Sequence, residues 1–266
     1  MGEILVKKLI VLITLIVCGA AIIFGNIHWN NKISAHGEEM KNTNREASDE
    51  NVEEDIKLDI STYSSNLPKG LQQKMNNAIS SGKPLQLVIY GSDATSDEEG
   101  AWPYLLTKQL KGIYGEELFN VTVLSEGNKT TLDVVEQKSY EEVNKLKPDV
   151  ILFEPFMLND NSGVIGVPNT INNIETMIKS WEESNKDVTI LMQPTNPIHG
   201  ATFYPKQVDE LKVFAETNKI IYLNHWEKWP ELADETMKEY LIDNSQPNEK
   251  GNKVWADFLI NYFIAK

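Results

Sequence analysis

An apolar run that stops abruptly at a glycine constrains this chain most. Leu85, Leu87, Val88, Ile89 and Tyr90 lead up to Gly91, and Ser92, Asp93, Ala94 and Thr95 follow. A run of this kind, without polar alternation, is the pattern of a strand buried on both faces, as in a parallel sheet. Ligands in open α/β sheets gather beyond the carboxyl ends of such strands, so Gly91, Ser92 and Asp93 stand where a site is expected. The pattern recurs, with further strands predicted at residues 119–124, 149–153, 188–192 and 220–223. Helical patterns at 102–111, 131–146, 169–184 and 205–217 separate them, one at 67–81 precedes them, and two at 232–241 and 249–264 close the chain. In 169–184, Ile171, Ile174, Met177, Ile178 and Trp181 share one face. Five strands alternating with helices predict a three-layer α/β/α domain around a five-stranded parallel sheet, flavodoxin-like in plan. No glycine-rich phosphate loop is present, since Gly91 and Gly100 lack the spacing of a dinucleotide fingerprint.

The amino-terminal part reads differently. Residues 1–8 include Lys7 and Lys8 and form a short cytoplasmic segment, and residues 9–29 are almost purely apolar. About 20 such residues cross a bilayer as a helix, and lysines before and acids after orient the remainder outside the cytoplasm. The competing reading is a cleavable signal peptide, although no small-x-small site follows convincingly. Cys18 is the only cysteine, which excludes an intramolecular disulfide, and Leu15-Ile16-Val17 lacks the small residue a lipoprotein places before its cysteine. Residues 30–60 are polar and acidic and cannot bury enough surface to order themselves; they read as a flexible stalk. Residues 61–266 remain for the folded domain, a length that supports a full core. The expected location is the cell membrane, single-pass, with the carboxyl-terminal domain extracytoplasmic.

The formal net charge is −14. That excludes nucleic acid as a partner, because phosphate binding needs a basic surface. The four histidines, His28, His36, His199 and His225, are scattered, and with one cysteine they give no metal-site spacing. No cofactor and no metal are expected.

The strand ends, taken in order, resemble the blocks of the SGNH/GDSL hydrolase family over residues 85–263. That family carries Gly-Asp-Ser-x-Thr after its first strand and a glycine after the second. Gly-x-Asn-Asp follows the third, and an Asp-x-x-His-Pro-Asn-x-x-Gly segment lies near the end. Here the counterparts are Gly91-Ser92-Asp93-Ala94-Thr95, Gly127, Asn159-Asp160, and Asp243-Asn244-Ser245-Gln246-Pro247-Asn248-Glu249-Lys250-Gly251. The resemblance implies a serine nucleophile, a histidine base oriented by aspartate, and an oxyanion held by the nucleophile's amide, Gly127 and Asn159. It also implies an ester-bearing ligand of the cell envelope, such as an O-acylated glycan or a lipid.

Two departures fall on the proton-handling steps. Asp93 stands at the nucleophile position and Gln246 at the general-base position, with Asp243 left as the orienting acid. A carboxylate attacking an ester would form an anhydride at the expense of an alkoxide, and an amide accepts no proton at neutral pH. Serine-esterase chemistry is therefore expected to be impaired, and the alternative is a non-catalytic glycan- or protein-binding module of the cell surface. Two rescues are open to such a chain. Ser92 could act as a relocated nucleophile with His199 as its base, although neighbours in a tight turn point in different directions. Asp93, Glu154 and Asp243 could also approach as an acid–base set of the glycosidase kind, although Glu154 reads as part of a buried strand. His225, Trp226 and Trp229 are expected to be structural, with sugar stacking the alternative for the tryptophans.

Overall fold

The computed structural model describes residues 60–265. The expected membrane anchor and all but the last residue of the expected stalk lie outside the described residues. Among the described residues, no helix is long and apolar enough to cross a membrane.

In chain order the elements are α1 (Lys69–Ser81), β1 (Leu85–Gly91), α2 (Trp102–Tyr114), β2 (Phe119–Ser125), α3 (Thr131–Gln137), α4 (Glu141–Lys145), β3 (Val150–Phe153) and α5 (Met157–Ser162). There follow α6 (Val167–Ser184), β4 (Thr189–Met192), α7 (Tyr204–Thr217), β5 (Ile221–Tyr222), 3-10 turns at His225–Lys228 and Glu235–Tyr240, β6 (Leu241–Ile242), β7 (Gln246–Pro247) and α8 (Glu249–Phe263). Strands β1 to β5 form one parallel sheet in the order β2-β1-β3-β4-β5, and β6 and β7 form a small antiparallel hairpin.

The apolar runs explain the layers. Side chains alternate across a strand, so Leu87 and Ile89 of β1 join Val150 and Leu152 of β3 on one face, against α1, α2 and α8. Val88 and Tyr90 join Ile151 and Phe153 on the other, against α3, α6 and α7. Both faces are covered, so no polar alternation is tolerated in these strands. On the first face Trp102 opens α2 and stacks on Trp255 of α8 at 4.9 Å between ring centroids, both fully buried. On the second, Trp181 meets Tyr90 and Phe153 edge-on. The stripe predicted on α6 is the buried one, with Ile174, Met177, Ile178 and Trp181 inside.

Four local features differ from the sequence expectation. The helix predicted over 131–146 is two helices, because Lys138 enters the left-handed region (φ 55°) and the amides of Lys138 and Ser139 close onto Val135 and Val134. The break turns both Tyr140 and Val143 inward. The segment predicted as helix at 232–241 is a 3-10 turn that runs into β6. The short helix α5 directly after β3 was not anticipated, nor was the β6–β7 hairpin.

The two-sided burial of β3 gives a quantitative test. Leu152 has no exposed surface, so Leu152→Ala should lower the unfolding free energy by about 2–5 kcal/mol. Val213→Ala, at a position 55% exposed, should change it by less than about 0.5 kcal/mol. Urea denaturation of the two variants measures the contrast.

Candidate active site

At the carboxyl edge of the sheet, the turn after β1 is built around a buried carboxylate from the neighbouring strand. Glu154, one residue beyond β3, has no exposed surface. Its Oε2 accepts hydrogen bonds from the Ser92 amide (2.7 Å), the Ser92 hydroxyl (2.8 Å) and the Thr95 hydroxyl (3.0 Å). Its Oε1 accepts from the Thr195 hydroxyl in the loop after β4. The approach is so close that a Cβ on Gly91 would lie 2.5 Å from Glu154 Oε2 and 2.4 Å from Thr95 Oγ1, which explains the glycine at the end of β1. Burial pushes the Glu154 carboxyl up to about 7, against the pull of the four donors.

This arrangement gives Ser92 and Glu154 partners other than those the two rescues need. Ser92 is buried, and its hydroxyl donates to Glu154 while accepting from the Ala94 amide (3.2 Å). Both bonds make it a strut of the turn, and its hydroxyl has no hydrogen bond to His199. The His199 ring lies 3.6 Å from Glu235 at Nε2, and its backbone pairs reciprocally with the Asn244 side chain (2.8 and 3.0 Å). Glu154 faces Ser92 and the two threonines, and its hydrogen bonds go to these residues and not to Asp93 or Asp243.

Asp93 comes next in the turn and is half-buried. Gln246 of β7 donates through Nε2 to Asp93 Oδ2 at 2.7 Å, so the structure brings the nucleophile and base positions together across 153 residues of sequence. Asp243 does not complete a triad. It lies exposed at the hairpin turn with φ 48°, followed by Asn244 at φ 53°, while the Gln246 amide is committed to Asp93. The rest of that block is structural. Asn248 caps α8 by accepting from the amides of Lys250 (2.9 Å) and Gly251 (3.2 Å). Gly251 passes so near the Tyr240 carbonyl that a Cβ there would stand 2.3 Å from it.

Gly127 and Asn159 also reach this rim. The Asp93 amide donates to the Gly127 carbonyl (3.0 Å), and Asn159 Nδ2 donates to the carbonyls of Gly127 (3.1 Å) and Lys129 (3.0 Å). The Gly127 amide is directed to the Ser125 hydroxyl at 3.3 Å. Asp160, beside Asn159, is buried and accepts from the Thr131 amide (2.7 Å) and the hydroxyls of Thr131 and Thr170, which fixes α5 against α3 and α6. Burial raises its pKa.

His225 is structural. It is fully buried and stacked on Trp255 at 4.1 Å. Its Nδ1 accepts from Trp229 Nε1 (3.0 Å), which leaves Nε2–H to donate to the Pro194 carbonyl (2.9 Å). Burial holds it neutral by lowering its pKa to about 3. Trp229 is buried and Trp226 donates to the Thr195 carbonyl (2.7 Å), so both serve packing.

Beside the Asp93–Gln246 pair opens a cleft of about 670 Å³. Asp93, Glu98, Glu99 and Glu249 contribute to its walls with Gln246 and Asn252, and no lysine or arginine lines it. Among the described residues, no group of three or more His, Cys, Asp or Glu could hold a metal ion.

No protein-family model matches the sequence, and no curated protein matches it. Solved structures do resemble the fold. A G-D-S-L family protein from Desulfitobacterium hafniense DCB-2 superposes with a TM-score of 0.55 at 15% identity, covering 66% of this chain and 98% of that one. A carbohydrate esterase family 3 protein from Talaromyces cellulolyticus gives 0.54 at 15% identity, with coverage of 66% and 94%. A GDSL-like lipase from Bacteroides thetaiotaomicron VPI-5482 gives 0.50 at 14% identity, with coverage of 70% and 94%.

The Glu154 network predicts a pH effect. A carboxyl whose folded pKa lies above its ordinary 4.5 stabilises the fold fully below pH 4.5 and loses that contribution as pH rises through about 7. Glu154→Gln keeps an acceptor for Ser92 and Thr95, and its amide can donate to Thr195, whose hydroxyl is 2.9 Å from the Pro155 carbonyl. Each tenfold change in proton affinity is worth roughly 1.4 kcal/mol. Between pH 4.5 and 7.5 the wild type should therefore lose about 3 kcal/mol relative to this variant. Thermal unfolding of both proteins across that range measures the difference, and a constant offset would refute the assignment. With the four strand-end loops on one rim, and the likenesses to solved structures beside them, the chain has the SGNH/GDSL hydrolase-like fold.

Proposed function

We propose that this is a non-catalytic SGNH-type domain that binds a polar, non-anionic ligand in the cleft beside Asp93. The observation that carries this reading is the hydrogen bond between Gln246 and Asp93. A hydrolytic serine needs a base to remove its proton, and here a side chain with no hydroxyl nucleophile faces an amide that cannot serve as the base. The acidic walls set the charge of the ligand. Asp93, Glu98, Glu99 and Glu249, unrelieved by a cation in the lining, disfavour phosphate or a free acid and suit neutral or cationic groups. An O-acylated envelope glycan satisfies that requirement, in line with the esterase named among the structural neighbours.

We further propose that the apolar residues 9–29 anchor the domain, through an acidic stalk, at the outer face of the cell membrane, as the lysines before that stretch and the acids after it suggest. Protease added to intact cells should release the domain, and full protection would overturn this orientation.

Catalysis is tested with p-nitrophenyl acetate and a fluorophosphonate probe on the full chain. The wild type should hydrolyse no faster than its Asp93→Ala and Gln246→Ala variants and should remain unlabelled. Turnover that disappears in either variant would contradict the reading. Binding is tested by calorimetry with an O-acetylated oligosaccharide: uptake should be lost in Ser96→Trp, which fills the cleft, and equal uptake by that variant would place the ligand elsewhere.

A further inference from the structure

The resemblance to the SGNH/GDSL family implies an oxyanion site of three hydrogen-bond donors, the amide at the nucleophile position, the glycine amide after the second strand and the asparagine side chain after the third. In this chain those donors are Asp93 N, Gly127 N and Asn159 Nδ2, and none of them is open. Asp93 N and Asn159 Nδ2 converge on a single acceptor, the Gly127 carbonyl oxygen, at 3.0 and 3.1 Å. The second hydrogen of the Asn159 amide goes to the Lys129 carbonyl, and Gly127 N is directed to Ser125. A carbonyl oxygen carries partial negative charge and accepts two hydrogen bonds, which makes it a chemical stand-in for a bound oxyanion.

We infer that the oxyanion site is occupied by the chain's own Gly127 carbonyl and that Glu126 is the latch that holds it there. This rests on the SGNH-type part of the proposed function for the identity of the donors, and not on the absence of catalysis. Glu126 precedes the occupying residue, and its side chain is bound from two directions. Tyr90 of β1 donates to Oε1 at 2.8 Å, and Lys129, on the far side of Gly127, pairs with Oε2 at 2.7 Å. Its amide adds a bond to the Gly91 carbonyl at 2.9 Å, continuing the β1–β2 ladder by one residue. Burial alone would raise the pKa of Glu126, but the bonds from Lys129 and Tyr90 outweigh it, and the carboxyl stays below the usual range. The latch is therefore ionised at neutral pH. It draws Lys129 back towards β1 and so closes the 126–129 turn around Asn159. Gly127 has φ 63°, the conformation that presents its carbonyl to Asp93 and that a larger residue would resist.

Displacing the plug would break the bonds to Asp93 and Asn159 together, and both half-buried donors would need a new acceptor. An incoming acetate or tetrahedral anion must therefore compete with an acceptor already in position. Removing the Glu126 carboxylate frees Lys129 and Tyr90 and loosens the turn, while the four hydrogen bonds to Glu154 keep their donors; the turn reaches Ser92 only through its carbonyl, which accepts from the Ser125 hydroxyl at 2.8 Å, and not through its amide.

The test follows amide hydrogen exchange residue by residue on the 15N-labelled full chain. In Glu126→Ala the Asp93 amide should exchange about tenfold faster or more than in the wild type, while the Ser92 amide, bonded to Glu154, keeps its rate. Lys129→Met should shift Asp93 in the same direction by a smaller factor. Sodium acetate should move the Asp93 amide resonance in Glu126→Ala and leave it in place in the wild type. Unchanged Asp93 exchange in both variants, a parallel rise at Ser92, or an acetate response in the wild type would each overturn the latch. Ester turnover by the wild type would instead overturn the non-catalytic reading, so the two failures are distinguishable.

Discussion

A carboxylate without solvent must receive its donors from the chain, and the carboxyl edge of this sheet is arranged around meeting that need for Glu154. Four hydrogen bonds reach it from the loops after β1 and β4. Each constrains a loop that would otherwise be free: Gly91 must lack a side chain, Ser92 must point inward, and Thr95 and Thr195 must turn towards each other. With Ser92 pinned, Asp93 is the first residue of the turn to face the cleft. Breaking such a network from one side leaves an uncompensated buried group, which is far more costly than the network is stabilising. The orientation of Asp93 is thus a consequence of a residue with no exposed surface.

The substitutions at the rim share a physical logic. An aspartate at the nucleophile position would be a bare charge, but Gln246 donates to it. An asparagine and a backbone amide aimed at an empty pocket would lack an acceptor, but the Gly127 carbonyl supplies one. Asp243, which the resemblance puts at the orienting-acid position, lies exposed on the hairpin turn. Each departure from the hydrolase pattern is locally satisfied, so the edge is internally consistent as it stands. What persists is the cleft itself, with its acidic walls.

Much of this was legible in the residues, because the relevant forces are local or periodic. Strands β1, β3 and β4 announce themselves through continuous apolar runs that only a sheet covered on both sides can bury. Asn248 and Gly251 match the last motif by residue type, and the structure supplies the reason: a helix cap and a close backbone approach. Legibility ended where a partner lies far away in sequence. Nothing near Glu154 reveals that Ser92, Thr95 and Thr195 will surround it, so its role emerges only in three dimensions. Helix α5 was hidden by the dense, aperiodic segment Phe156 to Asn161, and the hairpin that exposes Asp243 depends on two consecutive left-handed residues, neither of them glycine. The break at Lys138 escaped for the same reason: a lysine in that conformation carries no sequence signature.

The central claim, that an SGNH cleft persists here with its anion site filled from within, is tested most directly by a high-resolution crystal structure of the protein grown in molar acetate. The Gly127 carbonyl should lie within hydrogen-bond distance of both Asp93 N and Asn159 Nδ2, with no acetate or water between them. An acetate oxygen held by those two donors, with the Gly127 carbonyl turned away, would contradict the claim.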